Sequence, residues 1–131
     1  MKYFIGDIEH ETLENDLYRK VLFTAKNSQL VLMHLRPGKE IGMEVHELDQ
    51  FIRVEAGSGK VMLDGEEHTI QDGTAVVIPA GTNHNVINTS NQEGLKLYSI
   101  YSPPEHKIGT VHRTKQEGDA DEDHHFDGRT S

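Results

Sequence analysis

Between Lys20 and Tyr101 apolar and polar residues alternate in short runs, and turn chemistry stops each run. A period of two places alternate side chains on opposite faces of a strand, whereas a helix needs a period of 3.6. The runs are Lys20–Thr24, Gln29–Leu35, Ile41–His46, Gln50–Glu55, Lys60–Leu63, Glu67–Ile70, Thr74–Ile78, His84–Asn88 and Leu95–Tyr101. Pro37-Gly38, Gly57-Ser58-Gly59, Asp72-Gly73 and Pro79-Ala80-Gly81 interrupt them, and Asp64-Gly65 predicts a tight hairpin. Eight or nine short strands at this spacing predict an all-β sandwich or small barrel. Helix signals are weak, with Glu9–Tyr18 fit for a short helix or an irregular arm. The chain therefore divides into an N-terminal arm (1–19), a barrel (20–102), a C-terminal extension (103–117) and a tail (118–131). Lys107–Lys115 in the extension can add an edge strand.

At 131 residues the chain can bury one core. Its mean hydropathy of −0.62 is polar for a packed domain, so an unpacked segment is expected. Charge locates it: from Gln116 to Ser131 six acids face one base, which accounts for −5 of the net −9. The tail is accordingly expected to be solvated and flexible. Nucleic acid is excluded as a partner, because phosphate binding needs clustered Lys and Arg. There is no cysteine, hence no disulfide and no thiolate metal site. The segment Met1–Glu9 lacks the apolar run of a signal peptide, and no stretch approaches the ~20 apolar residues of a membrane span. The expected compartment is the cytoplasm.

Four side chains stand out as candidate metal ligands. Glu44 and His46 are two apart in an expected strand, so they share a face. Gln50 opens the next strand with its parity matched to Ile52 and Val54, and His84 opens a later strand after a Gly/Pro corner. Closed into a barrel, these strands can bring together two imidazoles, one carboxylate and one amide oxygen. That borderline-to-hard donor set suits one divalent transition ion (Zn, Fe, Mn, Co or Ni) better than Cu(I), Mg or Ca. His10, His34 and His68 read as ordinary hydrogen-bonded polar residues.

The same residues sit in two spaced segments. The first has Gly38, Glu44, His46, Gln50 and Gly57, and the second has Gly73, Pro79, Gly81, His84 and Asn88, with fifteen residues between Gly57 and Gly73. These spacings resemble the two motifs of the cupin family, with Glu44 where the pattern has His and Gln50 where it has Glu. The resemblance implies a double-stranded β-helix, or jelly-roll barrel, with metal ligands at Glu44, His46, Gln50 and His84. More narrowly, the chain resembles small bacterial cupins labelled mannose-6-phosphate-isomerase-like, through Glu44-Val45-His46, Asp49-Gln50-Phe51, Leu97–Pro104 and His125–Gly128. Cupins of this size commonly dimerise, and residues Lys2–Tyr18 could mediate a homodimer.

Three functions follow. One is isomerase-type or related metal-assisted chemistry on a small sugar-like or carbonyl substrate. The second is a metal-dependent oxygenase or decarboxylase. The third is a non-catalytic module for a metal or small molecule. No general base is assignable from sequence: His34 and Tyr98 lie on strands of unfixed facing. Arg36 and Arg53 are candidates for a phosphate clamp, with Arg53 expected to face away from Gln50.

Overall fold

A computed structural model describes residues 1–131 and builds the alternating runs into two antiparallel sheets. The strands are β1 (Arg19–Thr24), β2 (Gln29–Leu35), β3 (Asp49–Ala56), β4 (Ser58–Leu63), β5 (Glu66–Gln71), β6 (Ala75–Ile78), β7 (His84–Asn88), β8 (Leu95–Ser102) and β9 (Val111–His112). Six form one sheet in the order β6-β3-β8-β2-β1-β9, and three form the other in the order β5-β4-β7. The β4–β5 hairpin turns on Asp64 (φ 48°) and Gly65 (φ 85°). Both central residues are left-handed, as the two-residue turn that matches strand twist requires.

One expected strand is not continuous. Ile41–His46 touches β7 only through isolated bridges, Glu40 with Ile87 and Glu44 with His84. The pairing slips by one residue between them. Gly42 lies at φ 106°, and its N–H donates to the Asn85 side chain at 2.9 Å instead of to a ladder carbonyl. A residue at positive φ cannot continue an extended strand, so the segment bulges. It still runs beside β7 and widens the smaller sheet.

The inward faces of the two sheets enclose the core, which includes Val31, Ile52, Val54, Val61, Ile70, Val86 and Leu97. The inward row of β8 changes character along its length: Leu95 and Leu97, then Ser99 and Tyr101. Antiparallel β3 follows in register, with Val54 opposite Leu97, Ile52 opposite Ser99 and Gln50 opposite Tyr101. One end of the barrel is thus apolar and the other polar, and His84 at the start of β7 is buried among the polar set.

The N-terminal arm holds a short helix, α1 (Ile8–Glu14), within the Glu9–Tyr18 region. Asp7 caps it by accepting from the His10 N–H at 3.1 Å, and Glu9 and Glu11 favour its first turn. Ahead of it Phe4 packs on Phe23, while Met1, Tyr3 and Ile5 are exposed.

The tail departs from expectation, because residues 118–131 are docked. The edge strand β9 pairs with β1, Arg19 opposite His112. Helix α2 (Lys115–Ala120) follows, capped by Thr114, and lays Gly118 against Tyr18 and Arg19. His112 accepts from Arg19 at 3.0 Å and meets Asp121 at 2.9 Å. Lys107 N–H donates to the His124 carbonyl, and Phe126 N–H donates to that of Glu105. Ser131 closes the path with two bonds to Thr24. Imidazole pairing and backbone bridging hold this segment, and hydropathy detects neither.

Candidate metal centre

Glu44 and His46 leave the bulged segment on one face, and Glu44 pairs with His84 across the bridge to β7. One ligand atom from each of Glu44, His46 and His84 lies within 4.8 Å of the other two, an arrangement that could hold a metal ion. The imidazole centroids of His46 and His84 are 5.2 Å apart. His84 is fixed by a contact of 3.0 Å from Nδ1 to the Thr82 carbonyl, which must accept. Nδ1 therefore carries the proton and Nε2 presents a lone pair. That Nε2 is buried without a hydrogen-bond partner.

Two more buried ligand-type atoms lack a well-formed hydrogen bond. His46 Nε2 lies 3.3 Å from Glu44 Oε2 without a well-formed hydrogen bond, and its Nδ1 lies 3.6 Å from Glu105. Gln50 donates from Nε2 to Ser99 Oγ at 3.2 Å and to Tyr101 Oη at 3.4 Å, which leaves Oε1 buried and unpaired. Burying such atoms without hydrogen bonds is costly, and the cluster of Glu44, His46 and His84 fits a bound cation. Electrostatics agree. Burial alone would raise the Glu44 carboxyl, but His46 outweighs it and holds the pKa below the usual value. Burial alone would lower His46, and the Glu44 carboxylate reverses that and raises it. The two groups form an ion pair when no metal separates them.

Glu44 and His46 open onto a cleft of about 620 Å³ whose other walls include Glu47, Glu105, His124 and His125. Glu105 stands between His46 and His125, 3.3 Å from the Nδ1 of His125. His106 packs edge-on to Tyr101 and meets His124 at 2.9 Å, Nδ1 to Nδ1.

The sequence candidates for other roles lie elsewhere. His34 faces Asp16 at 4.0 Å in a separate crevice that it shares with Arg36. Tyr98 stacks on Phe51, in the alternation opposite to inward Ser99 and Tyr101. Arg53 pairs with Glu55 at 2.8 Å, in the alternation opposite to Gln50 as parity requires. Glu105 and His106, in the extension, follow no strand period and had no signal, whereas His124 and His125 lay in the tail read as solvated.

Residues 31–101 match the family profile described as Cupin domain. The chain belongs to the cupin family. This cupin is 46% identical over 129 residues to YrkC of Bacillus subtilis, an uncharacterised protein, covering 93% of this chain and 69% of that one. It is 30% identical over 104 residues to KdgF of Dickeya dadantii, a pectin degradation protein, covering 78% and 93% respectively. The crystal structure of BH2720 from Bacillus halodurans superposes with a TM-score of 0.88 at 45% identity, covering 91% of this chain and 95% of that one. No helix of the cupin is long and apolar enough to cross a membrane.

Proposed function

We propose that this cupin binds one divalent transition ion through Glu44, His46, Gln50 and His84, and acts on a small sugar-like carbonyl compound held in the adjoining cleft. The observation that carries this reading is the convergence of Glu44, His46 and His84 within 4.8 Å of one another, with Nε2 of His84 and Oε1 of Gln50 buried and unpaired. A divalent ion there would supply Lewis acidity toward a carbonyl oxygen. The chain's own residues supply the rest. Gln50 is held by Ser99 and Tyr101 with its oxygen turned inward, and the Thr82 carbonyl fixes the tautomer of His84. Glu105, paired with His125 at the cleft, is placed to take up and return a proton. This is the base that the sequence left unassigned. The relative named for pectin degradation supports carbohydrate-derived chemistry, since pectin is a sugar polymer. Isomerase-type proton transfer next to a carbonyl is the reaction class these groups suit, and the mannose-6-phosphate-isomerase-like resemblance points the same way.

The test is elemental mass spectrometry on gently purified protein, beside His84→Ala. About one equivalent of Zn, Fe, Mn, Co or Ni per chain, lost in the variant, is expected. No metal, and none taken up on addition, defeats the reading. On loaded protein, exchange of a substrate C2 proton with solvent across an aldose–ketose panel then reads the chemistry. We also infer that the exposed Met1, Tyr3 and Ile5 of the arm are covered in a homodimer. A monomer by light scattering at micromolar concentration would refute this.

A further inference from the structure

Arg19 is a buried cation without a direct counter-ion. The residue is 7% exposed, and its guanidinium lies 5.1 Å from the ring of its neighbour Tyr18. Of its five N–H donors one makes a well-formed hydrogen bond, from Nη1 to His112 Nδ1, and the Tyr18 hydroxyl lies near enough to feel the guanidinium. Accepting at Nδ1 leaves His112 protonated at Nε2, which donates to Asp121 at 2.9 Å. Asp121 thus balances Arg19 only through an imidazole. Nε is buried with no partner, and Nη2 makes no hydrogen bond to the protein either. In an arginine the Nε–H and the adjacent Nη2–H point along one edge of the plane, and Nη1 lies off that edge. The edge left free is therefore the one that grips two oxygens side by side.

Arg19 borders a cavity of about 350 Å³ whose walls include Tyr18, Glu44, Gly118 and His124. Glu44 and His124 also line the metal-side cleft, so the two spaces share walls. Arg19 is near enough to Glu44 to help lower its pKa. Four acids line the cavity: Asp119 is paired with Lys115 at 2.6 Å, Asp121 accepts from the neutral His112, and Glu44 lies 3.3 Å from His46, which leaves Glu122. Against these carboxylates one guanidinium can hold at most a monoanion and is too little for a phosphate dianion.

We propose that Arg19 is the anion-recognition residue of this pocket and that the ligand carries a carboxylate, as a sugar acid does. The inference rests on reading the polar end of the barrel as a ligand site and narrows the substrate class of the preceding section. The carboxylate would take the free edge of Arg19, with the remainder of the molecule toward Glu44 and the cleft. Gly118 makes the closure possible: a Cβ there would lie 3.1 Å from Tyr18 and 3.2 Å from Arg19 Nη1.

The test is calorimetric titration with D-galacturonate and with D-galactose, which differ in one carboxylate, on zinc-loaded and metal-stripped protein. We expect galacturonate to bind about tenfold tighter or better, as charge-assisted hydrogen bonds allow. Arg19→Met should erase the preference. Asp121→Asn weakens the tail clamp but spares the guanidinium, and should keep it. Should Arg19→Met fail to fold, Arg19→Lys retains charge without the paired edge and should lose most of the preference. Equal binding of both sugars, no galacturonate binding, a preference surviving in both Arg19 variants, or equal loss in Asp121→Asn would each overturn the proposal. A wild type that takes up no metal yet prefers galacturonate through Arg19 sinks the metal reading alone. Stoichiometric metal with no sugar-acid preference sinks this one alone.

Discussion

His46 and His84 are the two imidazoles of the Glu44–His46–His84 cluster. His46→Ala and His84→Ala should each abolish stoichiometric metal binding while the far-ultraviolet circular dichroism keeps its β signature. Glu105 acts one step further out, beside the Nδ1 of His46 at 3.6 Å. Partners of this kind orient a ligand and raise its basicity, so Glu105→Gln should weaken metal affinity about 10- to 100-fold in a competition titration with a chelator. The difference between these residues is also a difference in legibility. Strand parity assigns Glu44 and His46 to one face and Gln50 to the interior, because those relations are local. The contact of His46 with Glu105 spans most of two sheets in sequence, and no periodicity reports it. The alternation was also silent on whether His34 and Tyr98 faced inward, and neither reaches the cleft.

Strand boundaries were readable wherever glycine had a steric task. Gly57 has φ 90°, and a Cβ there would stand 2.4 Å from the Gly94 carbonyl oxygen. Strain and overlap together should make Gly57→Ala cost about 1–3 kcal/mol in urea unfolding, with an unchanged m-value. At the apolar end, fully buried Ile52 packs between the sheets. Ile52→Ala should cost about 2–5 kcal/mol by the same measurement, through the cavity it leaves. The segment Ile41–His46 was legible only in part. Its alternation is genuine, yet Gly42 takes a positive φ and its N–H bonds a side chain, so pairing slips between Glu40 and Glu44. A sequence pattern shows which face a residue prefers, and a one-residue bulge resets that choice without altering composition. Here the bulge falls two residues before Glu44.

At the scale of the molecule the tail changes the account most. Fourteen mainly polar, mostly exposed residues read as solvated because their docking is built from histidine pairs, a backbone bridge and one buried glycine. Ending the chain before Gly118 should lower the melting temperature by at least about 5 °C, since even 1–2 kcal/mol of lost docking has that effect in a domain of this size. Acid should loosen the same region. Burial first, then Arg19, His124, His112 and His46, hold the His106 imidazole far below its ordinary 6.5, and Tyr101 packs against it. The folded protein keeps it neutral while the unfolded chain gains a proton below 6.5, so its contribution is complete above that pH and declines beneath it. Melting temperatures should therefore be flat above neutrality and fall from about pH 6.5 downward. His106→Phe should flatten that slope.

Because Glu44, His46, Gln50 and His84 and strands β1–β8 precede residues 103–131 in the chain, synthesis completes the barrel before its lip. A nascent barrel can close while the segment bearing Glu105, His124 and His125 is still inside the ribosome, since domains fold as they emerge at roughly 5–20 residues per second. An ion or small molecule meeting the protein at that moment encounters a wider opening than the finished molecule offers. Order of translation thereby becomes order of assembly: barrel first, cover second.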